Sequence, residues 1–508
     1  MAGRFENSIR NIAVSFVNYL AWIILPFLLR TVIIYALGEE YLGLNGLFSS
    51  ILQVFNIADI GLSSAIQASM YQPIAQKDYK KISALLYFYR KVYGVIGLVI
   101  LLISIGCLPF LPSLIQGSYP ENVNIYMLFL LYALNTVLGY LLFSEAPILI
   151  NAHQRTDITA NIALIAKLVT CVMEIIALLV WRSIVLYVLC NVLCTVSQNI
   201  MNYIIFRKRY PQYRPKGKLD VKTKQFLYQN TGALLMQKVG NTLSTTFDTI
   251  VISYVIGLSA VAVFGNYQYI SGSVSQLIAL VFTAIIACIG NSVTTETVQK
   301  NAEDFQDISF WSFWLVGWCA ICIVCLIQNF EWIWTSGTMM LDEFSMLMIA
   351  VCFYFTNIRK PVCTYKDALG LWYADKYKSL VGGIFNLSLN LILVRMLGIS
   401  GVLISTILSY VLIEIPWETK VLFRKYFHKS SATYYLDCGY MMLSTVVAGA
   451  VTYACCSFFG NKVLHFFLRI MICTVVPNII LLLMNFWRSQ FKSATRILLR
   501  VLEIVRRK

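Results

Sequence analysis

Three cysteines in a C-x2-C-x2-C pattern, Cys319, Cys322 and Cys325, are the residues whose spacing comes nearest to a cofactor motif. Iron–sulfur clusters use such runs, but a fourth cysteine followed by proline completes them, and Asn329 stands at that position here. The three cysteines lie in an apolar segment, residues 310–327, at the spacing of one helix face. We therefore expect small packing residues. Because the three histidines are also far apart in the chain, we predict neither a metal nor a cofactor.

Ionisable residues within long apolar segments are the second group that could do chemistry. A charge at the centre of a bilayer costs about 2.5–3.5 kcal/mol, so such residues usually pair or face a water-filled cavity. A fixed cation there attracts phosphate, and a carboxylate can carry a coupling ion. The primary cavity candidates are Arg30, Asp59, Glu145, Lys238 and Asp248, and the secondary candidates are Lys167, Glu174, Arg359 and Lys360.

Arg30 and Asp248 are the pair that the sequence relates most directly. An internal repeat, described below, places them one residue apart in register. We expect both to line the cavity, as an ion pair that opens and closes with an outer gate, and a static pair joining two halves of the chain is the alternative. Pro26 lies one turn before Arg30 and frees the carbonyl of Trp22, which predicts a hinge beside the charge.

The other candidates each have two interpretations. Lys238 is the best candidate for binding a phosphate head group, and snorkelling to the inner interface is the alternative. Asp59 lies among small and polar residues, which favours a wet lumen over close helix packing. Lys167 and Glu174 are seven residues apart on one helix face, which favours mutual neutralisation. Arg359 and Lys360 form either a positive rim for anionic head groups or an ordinary basic boundary.

The composition places these charges in a membrane protein. Of 508 residues, 59% are hydrophobic and 13% are charged, and the mean hydropathy is +0.72. Soluble domains carry about 25% charged residues, so a soluble fold could not hide this much apolar surface. The net charge of +16 does not indicate nucleic acid, because the 40 Lys and Arg residues cluster between apolar segments. We predict no cleavable signal peptide, since the first apolar run is too long.

Apolar segments recur along almost the whole chain and predict an all-α protein with fourteen transmembrane helices. Their approximate bounds are 11–37, 44–71, 85–108, 122–150, 158–181, 183–206, 225–256, 260–295, 308–328, 343–370, 376–397, 399–424, 434–459 and 462–487. Basic residues fall in the alternate loops that a cytoplasmic N-terminus would place inside, and the other loops are short and acidic. We therefore expect both termini in the cytoplasm.

The chain also repeats itself. A shift of 219 residues superposes Gly38 on Gly257 and Gly46 on Gly265 in similar apolar surroundings. Parallel repeats are a known plan of transporters, with the substrate path between the halves. We predict a six-helix bundle over residues 1–207, a basic linker over 208–224, a second bundle over 225–424 and two extra helices over 434–487. The tail over 488–508 is predicted to form a basic amphipathic helix on the membrane surface, and a solvated basic tail is the alternative.

Four segments carry a family resemblance. They are RTVIIYALGEEYLGLNGLFSSIL, FNIADIGLSSAIQASMYQPIAQKDYKKISALLYFYRKVY, FDTIVISYVIGLSAVAVFGNYQYI and LNLILVRMLGISGV. With them the chain resembles the Wzx-type polysaccharide flippases of the multidrug/oligosaccharidyl-lipid/polysaccharide (MOP) exporter superfamily. The resemblance implies the V-shaped pair of pseudo-symmetric six-helix bundles of MATE and MurJ transporters, two peripheral helices, and alternating access without ATP hydrolysis.

The same resemblance implies the function. The substrate would be an undecaprenyl-pyrophosphate-linked oligosaccharide repeat unit, moved from the inner to the outer leaflet of a bacterial plasma membrane for capsule-like or O-antigen-like polysaccharide. Further partners would be membrane lipids, H⁺ or Na⁺ as coupling ion, and a polysaccharide polymerase.

Three other classes remain as alternatives. A MATE-like drug/cation antiporter shares the fold but has twelve spans as a rule. A membrane polysaccharide polymerase is expected to need a sizeable outer loop, which this chain lacks, and no catalytic motif indicates an enzyme. A scaffold without transport fits poorly with charges held inside spans.

Overall fold

A computed structural model of the chain describes residues 2–56, 62–117, 119–460, 462–491 and 493. Every regular element in this described part is a helix, and it contains no strand. The chain divides into two compact units, residues 1–262 and 263–508. The predicted all-α class is confirmed. The predicted boundary at 208–224 stays a prediction, and most of the predicted amphipathic tail lies outside the described residues.

The first unit consists of nine helices and the start of a tenth, within its described residues. They are α1 (Ala2–Ala36), α2 (Glu39–Phe55), α3 (Leu62–Ala75), α4 (Tyr79–Cys107), α5 (Ile125–Leu141), α6 (Glu145–Ala152), α7 (Thr156–Val180), α8 (Ile184–Arg209), α9 (Val221–Val255) and α10 (Leu258–Thr295), which continues into the second unit. Two short 3₁₀ segments, Leu108–Phe110 and Pro112–Leu114, follow α4.

The second unit continues with eight helices in its described residues. They are α11 (Val298–Thr335), α12 (Glu343–Ile358), α13 (Lys360–Ala368), α14 (Lys378–Leu397), α15 (Ile399–Ser409), α16 (Ile415–Leu422), α17 (Ala432–Ser457) and α18 (Val463–Asn485). A 3₁₀ segment, Leu371–Asp375, precedes α14, and two π-helical segments, Tyr410–Glu414 and Phe423–Phe427, flank α16.

Helices of membrane-spanning length and composition account for most of the chain. In the described part, eleven are long and apolar enough to cross a bilayer, or twelve if the bent pair of α5 and α6 is one span. Two of the fourteen predicted spans are not among them. One is interrupted by residues 57–61, which lie outside the described residues, and the other is α9, which carries many polar side chains. The count of fourteen stays a prediction.

Large apolar side chains cover the outside of the helices. Leu102 is 68% exposed, Val180 68% and Met396 75%, and each lies within a candidate span. A water-soluble protein rarely exposes apolar surface on this scale, whereas a protein surrounded by lipid does so along its whole hydrophobic belt. The exposed surface therefore agrees with the composition: this is a multi-pass membrane protein.

The internal repeat is visible in the backbone at two helix corners. The peptide N–H of Gly38 donates to the carbonyl of Ile33 at 3.1 Å, and that of Gly257 donates to Ile252 at 3.1 Å. Both glycines have positive φ, 111° and 125°, a conformation that side chains disfavour. The two glycines and the two isoleucines are each 219 residues apart. The same capping bond therefore ends α1 and α9, at the shift that the sequence predicts.

Beside these corners, α2 and α10 approach each other so closely that only glycine fits at one position of α2. A Cβ on Gly43 of α2 would lie 2.2 Å from the carbonyl oxygen of Leu258, the first residue of α10. Next to this contact, the N–H of Gln116 donates to the carbonyl of Ser253 at 2.9 Å. The start of α2, the loop after α4 and the corner between α9 and α10 therefore pack tightly together within the first unit.

Candidate functional site

The first cluster of predicted site residues lies on α1 and α7, which pack against each other. Nζ of Lys167 lies 3.4 Å from Oε2 of Glu174, and the carboxylate is fully buried while the lysine side chain is 18% exposed. The pairing that their seven-residue spacing favours is confirmed. Arg30 of α1 is half-buried. The structure therefore places two cations and one carboxylate on a pair of helices that pack against each other.

Glu145 forms the second charged position of the first unit. It is the first residue of α6, just after a 51° bend that separates α6 from α5. The residue is fully buried, and neither carboxyl oxygen has a hydrogen-bond partner among the described residues. Nη1 of Arg90 lies 3.7 Å away, on a side chain that is 55% exposed. Broken spans with a charge at the break are typical of ion and substrate sites in transporters.

Two further predicted charges of the first unit, Lys238 and Asp248, lie on α9. Asp248 is buried with 5% exposure and Lys238 is half-buried. The helix packs against α2 and α3. It begins after Asp220, whose carboxylate accepts hydrogen bonds from the Thr223 hydroxyl at 2.7 Å and N–H at 2.9 Å, and these bonds lower the pKa of Asp220. Asp59 falls in residues 57–61, outside the described residues.

Polar side chains pair across several helices of the first unit, and the sequence analysis did not single them out as a set. The Tyr132 hydroxyl of α5 donates to Asn45 of α2 at 2.8 Å, and the Tyr140 hydroxyl donates to Asn56 at 3.1 Å. Thr195 of α8 donates to the amide oxygen of Asn135 at 2.7 Å, and Ser63 of α3 bonds to Tyr93 of α4. We call these four pairs the polar row. They give hydroxyl and amide groups in the interior of the helical unit hydrogen-bond partners, without which burying each group would be costly.

The second unit contains a network of six charged side chains, of which five are buried and Arg359 is 15% exposed. Arg359 donates two hydrogen bonds to Glu418, from Nε at 3.1 Å and from Nη2 at 2.6 Å, and lies 2.6 Å from Glu414. Lys378 contacts Glu418 and lies 3.6 Å from Glu414. Lys366 pairs with Asp375. We call these three cations and three carboxylates the six-charge network.

Every member of this network lies within a candidate span. The carboxylate of Glu418 is its centre, because it is 1% exposed and lies within 4.0 Å of all three cations. The guanidinium of Arg359 also lies 5.0 Å from the ring centroid of Tyr410, which adds a cation–π contact. Tyr410 and Glu414 bound a π-helical segment, a distortion that is frequent at functional positions. Lys360 begins α13 beside Arg359 and is half-buried.

Five members of the network were missed as site residues by sequence reasoning, namely Lys366, Lys378, Asp375, Glu414 and Glu418. A signal was present, since Glu414 and Glu418 are four residues apart inside the predicted span 399–424. That spacing puts two carboxylates on one helix face and requires cations opposite them. Arg359, which the sequence analysis assigned to a rim or a boundary, is instead a member of the network.

Comparisons with solved structures define the class. The lipid II flippase MurJ, in an inward closed conformation, matches at a TM-score of 0.70 and 14% identity, over 94% of this chain and 98% of that chain. An inward-facing multidrug resistance MATE family transporter of the MOP superfamily matches at 0.58 and 16%, over 81% and 96%. A point mutant of the Vibrio cholerae MATE transporter VcmN matches at 0.58 and 15%, over 81% and 95%. The fold is that of a MOP-superfamily transporter.

The family follows from the sequence comparison. The model of the family described as polysaccharide biosynthesis protein matches residues 8–290, which is more than half of the chain. The chain belongs to this family. It is a multi-pass membrane protein with the fold of MOP-superfamily transporters, and the expected resemblance is confirmed at this level. The comparison with curated proteins gave no match.

Proposed function

We propose that the protein is a flippase that moves an undecaprenyl-pyrophosphate-linked oligosaccharide from the inner to the outer leaflet of a bacterial plasma membrane. It acts by alternating access driven by an ion gradient, with both termini in the cytoplasm. The charged residues and the polar row of the first unit bind the substrate and the coupling ion.

The observation that carries the proposal is the cluster of two cations, Arg30 and Lys167, with one carboxylate, Glu174. All three residues lie in candidate membrane spans, and Lys167 pairs there with Glu174. A cationic side chain in a low-dielectric setting attracts a phosphate group, so a pyrophosphate suits this region. The half-buried Lys238 of α9 adds a further cation to the same unit.

The polar row suits the sugar part of the substrate. Sugars present many hydroxyl groups that need hydrogen-bond partners once they leave water. The tyrosine, asparagine and threonine side chains of the row can exchange their mutual bonds for bonds to a sugar, so little hydrogen bonding is lost on binding. The family match over residues 8–290 and the likeness to a flippase of lipid II support the same substrate class.

Three carboxylates are the candidates for ion coupling, namely Asp59, Glu145 and Asp248. Glu145 is the strongest of them, because its oxygens are buried without a hydrogen-bond partner in the described part and its cation is half-exposed. A carboxylate so placed can take up a proton or a sodium ion without first breaking a strong internal pair.

The test is transport by the purified full-length chain in proteoliposomes. Labelled undecaprenyl-pyrophosphate-linked oligosaccharide should move between leaflets faster than in protein-free vesicles, and a proton or sodium gradient should accelerate it. Arg30→Ala and Lys238→Ala should each reduce the rate at least tenfold. Lys208→Ala is the matched control, since Lys208 is exposed at the end of α8.

Two results would contradict the proposal. Vesicles that transport a drug-like cation but leave the lipid-linked sugar in place would favour the MATE-like antiporter. If Arg30→Ala and Lys238→Ala both transport the lipid-linked sugar at the native rate, these two residues are not part of the substrate site.

A further inference from the structure

Three thiols from three different helices meet in the interior of the second unit. They belong to Cys325 of α11, Cys456 of α17 and Cys473 of α18, and each residue is at most 3% exposed. Their sulfur atoms all lie within 4.8 Å of one another, and Sγ of Cys456 lies 3.9 Å from Sγ of Cys473. Neighbouring apolar residues enclose the group. The sequence analysis considered only the cysteines of α11, because the other two are more than a hundred residues away.

The sulfur spacing suits a shared metal ion better than a disulfide. A disulfide needs its sulfurs about 2.05 Å apart and joins only two residues. Zinc–sulfur bonds are about 2.3 Å long, so the sulfurs around one tetrahedral zinc ion lie about 3.8 Å apart. The distance of 3.9 Å between Cys456 and Cys473 is already close to this value. Cys325 needs to move by less than the length of one bond to complete the triangle.

The backbone around Cys473 holds this residue in position. Pro477 of α18 has no N–H, so the carbonyl of Cys473 loses its bond within the helix. Nε1 of Trp318 donates to that carbonyl at 2.8 Å, and the thiol of Cys322 donates to it at 3.8 Å. Supporting contacts of this kind orient the ligands of metal sites. They also bring a fourth cysteine, Cys322, next to the three.

The local charge balance selects a divalent ion. Metal-bound thiols are deprotonated, so three thiolates with one divalent cation carry one negative charge. Arg469 lies one turn before Cys473 on α18, and its Nε is buried without a hydrogen-bond partner among the described residues. Its guanidinium brings the total to zero. A monovalent ion would leave one negative charge uncompensated in a low-dielectric interior, which is costly.

One face of α18 leads from the end of the helix to the thiols. His465, Arg469 and Cys473 recur every four residues, and α18 begins at Val463. Nδ1 of His465 is buried and has no hydrogen-bond partner in the described part. An imidazole nitrogen is a common ligand of the same ions, so His465 provides a first contact near the end of the helix.

We propose that Cys325, Cys456 and Cys473 bind one thiophilic divalent cation of the zinc class. The ion joins α11 to the hairpin of α17 and α18, the two helices beyond the predicted six-helix bundles. The site is separate from the residues assigned to transport. A failure to bind metal would therefore not count against the flippase function, and a failure of transport would not count against the metal site.

The experiment measures metal binding by the reduced, chelator-treated full-length protein in detergent. Zinc stoichiometry is determined by elemental analysis after dialysis, and affinity is determined by competition with a chromogenic chelator. Cadmium serves as a second probe, because its thiolate complexes give an ultraviolet charge-transfer band. One ion per chain is expected. Cys473→Ser and Cys456→Ala should each weaken binding at least tenfold, while Cys319→Ser, also on α11, should bind as the native protein does.

Loss of folding in a variant does not obscure the result, because two measurements need only the native chain. Zinc should raise its melting temperature, and cadmium should produce the thiolate band with a one-to-one end point. No cadmium band, or zinc binding of equal strength in Cys473→Ser, would overturn the proposal.

Discussion

The two units of the protein hold their buried charges in opposite ways. In the second unit, three cations and three carboxylates balance one another in one network, and every carboxylate contacts at least two cations. In the first unit, the two described ion pairs with a buried carboxylate are separate from each other, 3.4 Å at Lys167 and 3.7 Å at Arg90. One arrangement links six charges to one another, and the other consists of separate pairs.

This difference separates a structural role from a functional one. Breaking one member out of such a linked network leaves uncompensated charge and destabilises the fold. A charge held in a separate pair can instead take a new partner during a transport cycle at a lower cost. We therefore expect substitutions in the six-charge network to reduce stability, and substitutions in the first unit to reduce transport by protein that remains folded.

The largest effect is expected for Glu418→Gln. The substitution leaves Arg359, Lys366 and Lys378 close together with one carboxylate fewer, and breaking a buried pair costs about 3–5 kcal/mol. The melting temperature of the detergent-solubilised protein should fall steeply, and the yield of folded protein with it. Asp304→Asn is the control, because Asp304 forms a solvent-exposed pair with Lys300 in the same unit. If Glu418→Gln has the same melting temperature as the native protein, the six-charge network does not stabilise the fold.

The next effect is expected for Glu174→Gln. The amide keeps the size of the side chain but leaves Lys167 without the counter-charge of this carboxylate, so the binding region changes in charge. Transport of the lipid-linked oligosaccharide per folded molecule should fall at least tenfold. Asp157→Asn, an exposed acid at the start of the same helix, should transport normally. Equal rates in the two variants would show that the pair on α7 has no part in transport.

A smaller and more selective effect is expected for Glu145→Gln. A neutral side chain removes the cost of burying a carboxylate without hydrogen-bond partners, so the free energy of unfolding should stay within about 1 kcal/mol of the native value or rise. The response of transport to an ion gradient should disappear while downhill movement of the substrate persists. Glu121→Gln, an exposed acid of the same unit, serves as the control. A gradient response that survives in Glu145→Gln would leave Asp59 and Asp248 as the coupling candidates.

The sequence predicts the fold class and the repeat well, because both depend on local features. Apolar runs of spanning length and two glycines 219 residues apart are visible without tertiary information. The break between α5 and α6 was not predicted, since residues 122–150 read as one continuous apolar segment. A bend of 51° at this point depends on how the two helices pack against their neighbours.

The sites were less accessible, for a physical reason. Lys167 and Glu174 share one helix, so their seven-residue spacing predicted their contact correctly. The six-charge network combines residues from the end of α12 to α16 that are up to 59 residues apart. The thiol group combines cysteines up to 148 positions apart in sequence, Cys325 and Cys473. Spacing along the chain shows that a charge is buried, but only the packing of separate helices determines its partner.

The smallest effect is expected for Arg90→Ala, and it provides the sharpest comparison of the two units. Arg90 is 55% exposed and lies 3.7 Å from its buried carboxylate, so solvent screens the arginine and its loss should cost little stability. Arg359→Ala removes the same side chain where it is 15% exposed and makes two hydrogen bonds to Glu418. Thermal unfolding should therefore separate the two arginine variants clearly, with Arg90→Ala close to the native protein. Equal destabilisation would mean that the ion pairs of the first unit are as firmly held as the six-charge network, and the charges assigned to transport would then be structural as well.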